Sequence, residues 1–106
     1  MESSIKRDQG TVVLSVTGVV DLNVGSAFRC ALFEALEGAR ALLVDLSGVA
    51  RADSSAVASL IEALDAARRA GTEFRFLAEP TAIDRLLDLF HLSDVFAAGT
   101  PSGYAA

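Results

Sequence analysis

Two short apolar runs, residues 41–46 (A-L-L-V-D-L) and 74–77 (F-R-F-L), flank a segment of helical periodicity, and this strand–helix–strand order is the strongest constraint in the chain. Between residues 55 and 70, Val57, Leu60, Ile61, Leu64 and Ala67 recur at the i, i+3, i+4, i+7 spacing that lines one helix face, and Gly71 stands where a helix is stopped. A helix between two strands of one sheet makes those strands parallel, because only a crossover of that length returns the chain to the same edge. The 41–46 run is nearly continuous in apolar residues, as expected of a central strand covered on both faces, with Asp45 interrupting it near its end.

Upstream, residues 3–7 and 11–17 (T-V-V-L-S-V-T) read as strands, and Gln9-Gly10 is placed to turn the chain between them. That predicts an opening antiparallel hairpin. Residues 26–37 put Phe28, Leu32, Ala35 and Leu36 on one helical face with Phe33 off the stripe, and Gly38 supplies the stop. Downstream, Thr81 and Asp84 have capping-box spacing ahead of Ile83, Leu86, Leu87 and Phe90, a third helix. Residues 92–98 can hold a last short strand or helical turn, and 99–106 read as a fraying tail. The order β-β-α-β-α-β-α predicts an α/β fold: a mixed sheet, hairpin first, then parallel strands with helical crossovers, flanked by three to four helices. At 106 residues with 52% hydrophobic content, residues 1–106 form one domain with a real core.

The charge narrows the partners. A net charge of −5 and a pI near 4.6 argue against a nucleic-acid backbone and against adhesion to anionic lipid. No signal segment and no membrane-length apolar run is visible, so a cytoplasmic protein without direct membrane insertion is expected. Cys30 and His91 are the only cysteine and histidine, which excludes an intrachain disulfide and most metal sites. As a nucleophile pair they are outweighed by plainer readings: a small, partly buried side chain for Cys30, and a helix-end charge or solvated group for His91. Glu34, Glu37, Glu62 and Asp65 lie at spacings of a solvated helix face. No phosphate-cradling G-x-x-x-x-G-K or G-x-G-x-x-G turn is present. A phospho-acceptor aspartate at Asp45 or Asp53 lacks the acidic pair that would hold its magnesium, since the first loop offers only Asp8. Neither an enzyme nor a bound cofactor is expected.

What remains is the stretch 43–60, L-V-D-L-S-G-V-A-R-A-D-S-S-A-V-A-S-L, where a strand ends, a loop turns and Asp53-Ser54-Ser55 enters the long helix. Ser54 or Asp53 can cap that helix, and its free N–H groups can tolerate a phosphate, about −1.5 to −2 charges at pH 7. On the residues alone the favoured reading of Ser54 is an unmodified cap, since most capping serines are never modified.

At these residues the chain resembles a STAS domain, the module of bacterial anti-sigma factor antagonists. The resemblance rests on Gly18-Val19-Val20-Asp21, on Val44-Asp45-Leu46-Ser47-Gly48-Val49 leading into Asp53-Ser54-Ser55, and on the apolar helix that follows. It implies that Ser54 is phosphorylated by an anti-sigma factor that is itself a serine kinase, with a phosphatase as a further partner. It also implies a docking face built from Asp21, Asn23, Ser26, Asp53, Ser54, Ser55 and Ala56, and no catalytic residue in this chain. Where the family commonly has glycine, this chain has Ala56, whose methyl is expected to crowd an approaching partner backbone. The stretch R-L-L-D-L-F-H-L-S-D-V-F also resembles the STAS subunit of phospholipid-transport ABC systems, which implies the transporter's ATPase as the alternative partner.

Overall fold

The computed structural model describes residues 1–78 of the protein. The hairpin joins β1 (Glu2–Asp8) to β2 (Thr11–Val20) in antiparallel register from Glu2↔Thr17 to Asp8↔Thr11. Gln9 and Gly10 both take positive φ, 49° and 88°, the mirror-image two-residue turn whose twist suits a hairpin. The Gly10 carbonyl then accepts from the N–H groups of Arg40 at 2.7 Å and Ala41 at 3.2 Å, which seats the next strand beside the turn. That strand, β3 (Ala41–Ala52), lies parallel to β2, and β4 (Glu73–Ala78) lies parallel to β3, giving the order β1-β2-β3-β4.

The crossovers are α1 (Gly25–Leu36) and α2 (Ser54–Ala70). Crossovers of one hand that step in one direction across a sheet put their helices on the same face. Val12, Leu14, Val16, Leu42, Val44, Leu46, Phe74 and Phe76 accordingly form one core with the inner sides of both helices. Phe28 and Leu32 of α1 and Leu60 of α2 are wholly buried there, each contributing about 1.5–3 kcal/mol of transfer free energy. Among the described residues, the expectation that β3 is covered on both faces is corrected by the same geometry. Leu42, Val44 and Leu46 are buried while Ala41, Leu43 and Asp45 alternate with them at intermediate exposure, because both crossovers cover one side. Asp45 is thereby accommodated: its carboxylate accepts from the Ser47 hydroxyl at 2.6 Å and the Ser47 N–H at 3.0 Å.

Both parallel strands outrun their sequence pattern. β2 continues past Thr17 to Val20 and β3 past Leu46 to Ala52, and their pairing shifts register between Ser15 and Thr17 and between Gly18 and Val19. Bulges of this kind break the two-residue period by which a strand is read. On α2, Ile61 is a further correction. It is 39% exposed, and Ala56, Ser59 and Ala63 fill the inner face beside Val57, Leu60, Leu64 and Ala67. On α1, Cys30 is exposed rather than partly buried, since the inner face is taken by Phe28, Ala31, Leu32 and Ala35. Arg29 ties the helices together on their outer side, pairing with Glu62 at 2.8 Å while its guanidinium lies 4.6 Å from the Phe33 ring centre. Arg7 of β1 donates to the carbonyls of Glu34 at 2.7 Å and Glu37 at 2.8 Å, closing the C-terminal end of α1. Gly71 ends α2 in the left-handed conformation, φ 73°, as its position predicts.

The expected third helix around residues 81–90, the element at 92–98, the tail at 99–106 and His91 lie outside the described residues.

Candidate functional site

The parallel register brings Val20 and Ala52 side by side, so β2 and β3 stop together at one end of the sheet. Each strand delivers an aspartate. Asp21 (φ −124°, ψ −175°) and Asp53 (φ −124°, ψ −173°) share one extended conformation, and each carboxylate accepts from the N–H two residues on. These contacts are Asn23 N–H to Asp21 Oδ1 at 3.0 Å and Ser55 N–H to Asp53 Oδ1 at 2.9 Å. Asp21 thereby starts a 3-10 turn, Leu22–Val24, that runs into α1, while Asp53 starts α2. In a parallel sheet the ends of adjacent strands are where loops converge to form a site.

Asp53 is the joint between the two loops. Its Oδ2 accepts from the Leu22 N–H at 3.0 Å, its Oδ1 also takes the Ser55 hydroxyl at 2.5 Å, and its own N–H donates to the Val20 carbonyl at 3.3 Å. The Ser55 hydroxyl foremost, with the N–H groups of Ser55, Leu22 and Ala56, holds the Asp53 carboxyl below the usual carboxylate range, against the opposing effect of desolvation. Asp53 therefore serves as a charged cap and brace. The choice between Ser54 and Asp53 as cap is settled in favour of Asp53.

Ser54 is thereby left free. It is the first residue of α2, exposed, and its hydroxyl has no hydrogen-bond partner among the described residues. A serine becomes a nucleophile when a base takes its proton, and the adjacent carboxylate is instead occupied by Leu22 and Ser55. The described residues do not activate this hydroxyl, but the start of α2 offers a dipole and N–H groups that tolerate an anion on it.

The other expected site residues separate into two groups. Asn23 and Ser26 are exposed beside the joint, and Asp21, Asp53 and Ser55 are partly exposed within it. The first turn of α1 packs close by, with the Ser55 hydroxyl oxygen 4.0 Å from where a Cβ on Gly25 would sit. Ala56 is corrected: it is 1% exposed and belongs to the core cluster, so its methyl supports α2 from within and cannot crowd an incoming chain. The sequence reading also passed over Leu22, which stands 79% exposed at the joint. The signal available for it was an apolar residue directly after a capping aspartate and ahead of the α1 stripe.

Among the described residues no helix is long and apolar enough to cross a membrane. A family model described as the Mlab STAS domain matches residues 3–97. A search of the curated proteins finds no match. Among solved structures, the chain is similar to an anti-sigma factor antagonist from Mycobacterium paratuberculosis, with 24% identity over 90% of this chain and 81% of that one and a TM-score of 0.79. It is also similar to the phosphorylated form of the Bacillus cell fate determinant SpoIIAA, with 14% identity, coverage of 88% and 86%, and a TM-score of 0.61. A sulfate transporter family protein from Wolinella succinogenes matches at 14% identity, coverage of 84% and 73%, and a TM-score of 0.67. At these identities the likenesses show a common fold.

Proposed function

The chain belongs to the Mlab STAS-domain family, and from that premise we propose that it is a cytoplasmic protein-docking module of the anti-sigma factor antagonist type, with Ser54 as its phospho-acceptor switch. The observation that carries this reading is the contrast at the helix start. Asp53 and Ser55 are locked to each other, while the Ser54 hydroxyl between them is exposed and has no hydrogen-bond partner among the described residues. The chemistry belongs to the partner. A serine kinase would transfer the γ-phosphoryl of ATP to Ser54 Oγ, breaking the γ-phosphorus bond to ADP and passing the hydroxyl proton to the kinase's own base. A phosphatase would reverse the state by hydrolysis.

Docking then uses the end of the sheet, with Asp21, Asn23, Ser26, Asp53 and Ser55 around Ser54, and Ala56 underneath as support. A phosphate on Ser54 acts by its bulk, standing between the face and a closely fitted partner, without a need to refold α2. Incubating the chain with the purified anti-sigma serine kinase of the same organism and ATP should add a single phosphate, mapped to Ser54 and missing from Ser54→Ala. Phosphate appearing elsewhere, or none at all under conditions where the kinase modifies a second antagonist, counts against the switch.

The resemblance of residues 85–96 to the STAS subunit of phospholipid-transport ABC systems supports a second reading, a subunit that docks on the ATPase of an ABC transporter with the same face and no phosphate cycle. Co-purification of an ATPase and permease with the chain, unaffected by removal of ATP and kinase, would select it.

A further inference from the structure

We infer that Leu22 is the apolar anchor of this docking face and that Asp53 is the positioning residue that holds it, an assignment that rests on the docking function proposed above. A lone exposed leucine is ordinary on a protein surface, and Leu22 differs in how its backbone is held. Its N–H is fixed 3.0 Å from Asp53 Oδ2, 31 residues away in sequence, and the residues after it are wound into the turn that Asp21 caps. With the backbone so constrained, docking this 79% exposed side chain costs its own rotamer freedom but no ordering of the loop, which favours a contact that yields affinity.

The surroundings choose the occupant. Asp21, Asn23, Asp53 and Ser54 offer carboxylate, amide and hydroxyl oxygens around the leucine, and the neighbouring cation in sequence, Arg51, makes no ion pair with either aspartate among the described residues. A second copy of this face would set Asp21 and Asp53 against their own counterparts. An anionic lipid surface would be repelled by the same groups. The matching partner is a protein surface with an apolar pocket bordered by Lys or Arg. Asp53 contributes by geometry, since one carboxylate fixes both the Leu22 loop and the start of α2 that carries Ser54. Leucine and serine are thus presented at a set spacing.

The test uses the full chain titrated with two purified proteins of the same organism, the anti-sigma serine kinase and the transporter ATPase. For whichever binds, Leu22→Ala is expected to weaken binding roughly 10- to 100-fold and Leu22→Met to restore most of it, while thermal unfolding stays unchanged because the side chain is exposed. Amide exchange at Leu22 reads the positioning role without any partner. It should accelerate in Asp53→Ala and also in Asp53→Asn, whose one amide oxygen can accept from Leu22 or from Ser55 but cannot serve both as the two carboxylate oxygens do, and binding should weaken in both variants. If Leu22→Ala binds like the native chain while Ser54→Asp does not, the anchor is overturned and the docking reading stands. If Leu22 exchange is identical in the native chain and Asp53→Ala, the positioning role is overturned. If the native chain binds neither protein, the anchor falls with the reading beneath it.

Discussion

Replacing Ala56 with glycine would restore the residue that the family commonly carries after the two serines, and its effect separates two accounts of that position. If the methyl crowded a partner, its removal would strengthen binding at little cost to the fold. The structure gives the methyl a different place, 1% exposed among the core residues in the first turn of α2. Glycine there forfeits about 0.8 kcal/mol for the buried methyl and about 0.5–1 kcal/mol of helix backbone entropy. The combined loss is about 1.5 kcal/mol, and for a domain of this size each kcal/mol moves the melting temperature by about 4 °C, so Tm should fall by about 6 °C. Circular dichroism melts read the stability, and titration with the partner reads the affinity. Affinity that rises severalfold in Ala56→Gly with Tm unchanged would refute the placement of Ala56 as a core residue.

Three further outcomes follow from local geometry. Gln9 holds φ 49°, a conformation that asparagine adopts more readily, so Gln9→Asn should raise the denaturant midpoint, by about 0.5 kcal/mol in stability, without altering binding. The Asp53 carboxyl is lowered in the fold, so its contribution is fully present above the unfolded carboxylate value of about 3.9 and is lost as pH falls through the lower folded value. NMR titration should therefore find Leu22 and Ser55 amide protection intact at pH 5 and falling only below about pH 4, with Asp53→Asn abolishing that acid transition; protection that declines between pH 7 and 5 contradicts the brace. Arg7→Ala should speed amide exchange near the C-terminal end of α1 and leave that at Ser55 unchanged, because among the described residues its hydrogen bonds go to Glu34 and Glu37.

The elements that could be read from the residues were those in which one rule acted alone. The α2 stripe ending at Gly71 carries a clean period, the opening hairpin a turn signal, and the parallel 41–46 and 74–77 strands short apolar runs, and each is present. Where two influences met, the pattern misled. The ends of β2 and β3 were missed because bulges near Thr17 and Val19 break alternation at the point where the strands deliver the site. Ile61 matched the helical spacing but fell outside the covered arc, and the covering of β3 on one face follows from the direction of both crossovers rather than from composition. The site itself was visible as a motif, Asp53-Ser54-Ser55. Its division of labour was not, because three adjacent polar residues can each cap a helix. Only the contacts between loops, Leu22 with Asp53 above all, show which carboxylate is occupied and which hydroxyl is free.

Control of docking at Ser54 can be read in one titration. The native chain, Ser54→Ala and Ser54→Asp are compared against the purified anti-sigma serine kinase, with the transporter ATPase in parallel. With docking controlled at Ser54, the kinase binds the native chain and Ser54→Ala with similar affinity, and Ser54→Asp binds at least tenfold more weakly with its melting temperature unchanged. Equal binding of all three forms would contradict that control.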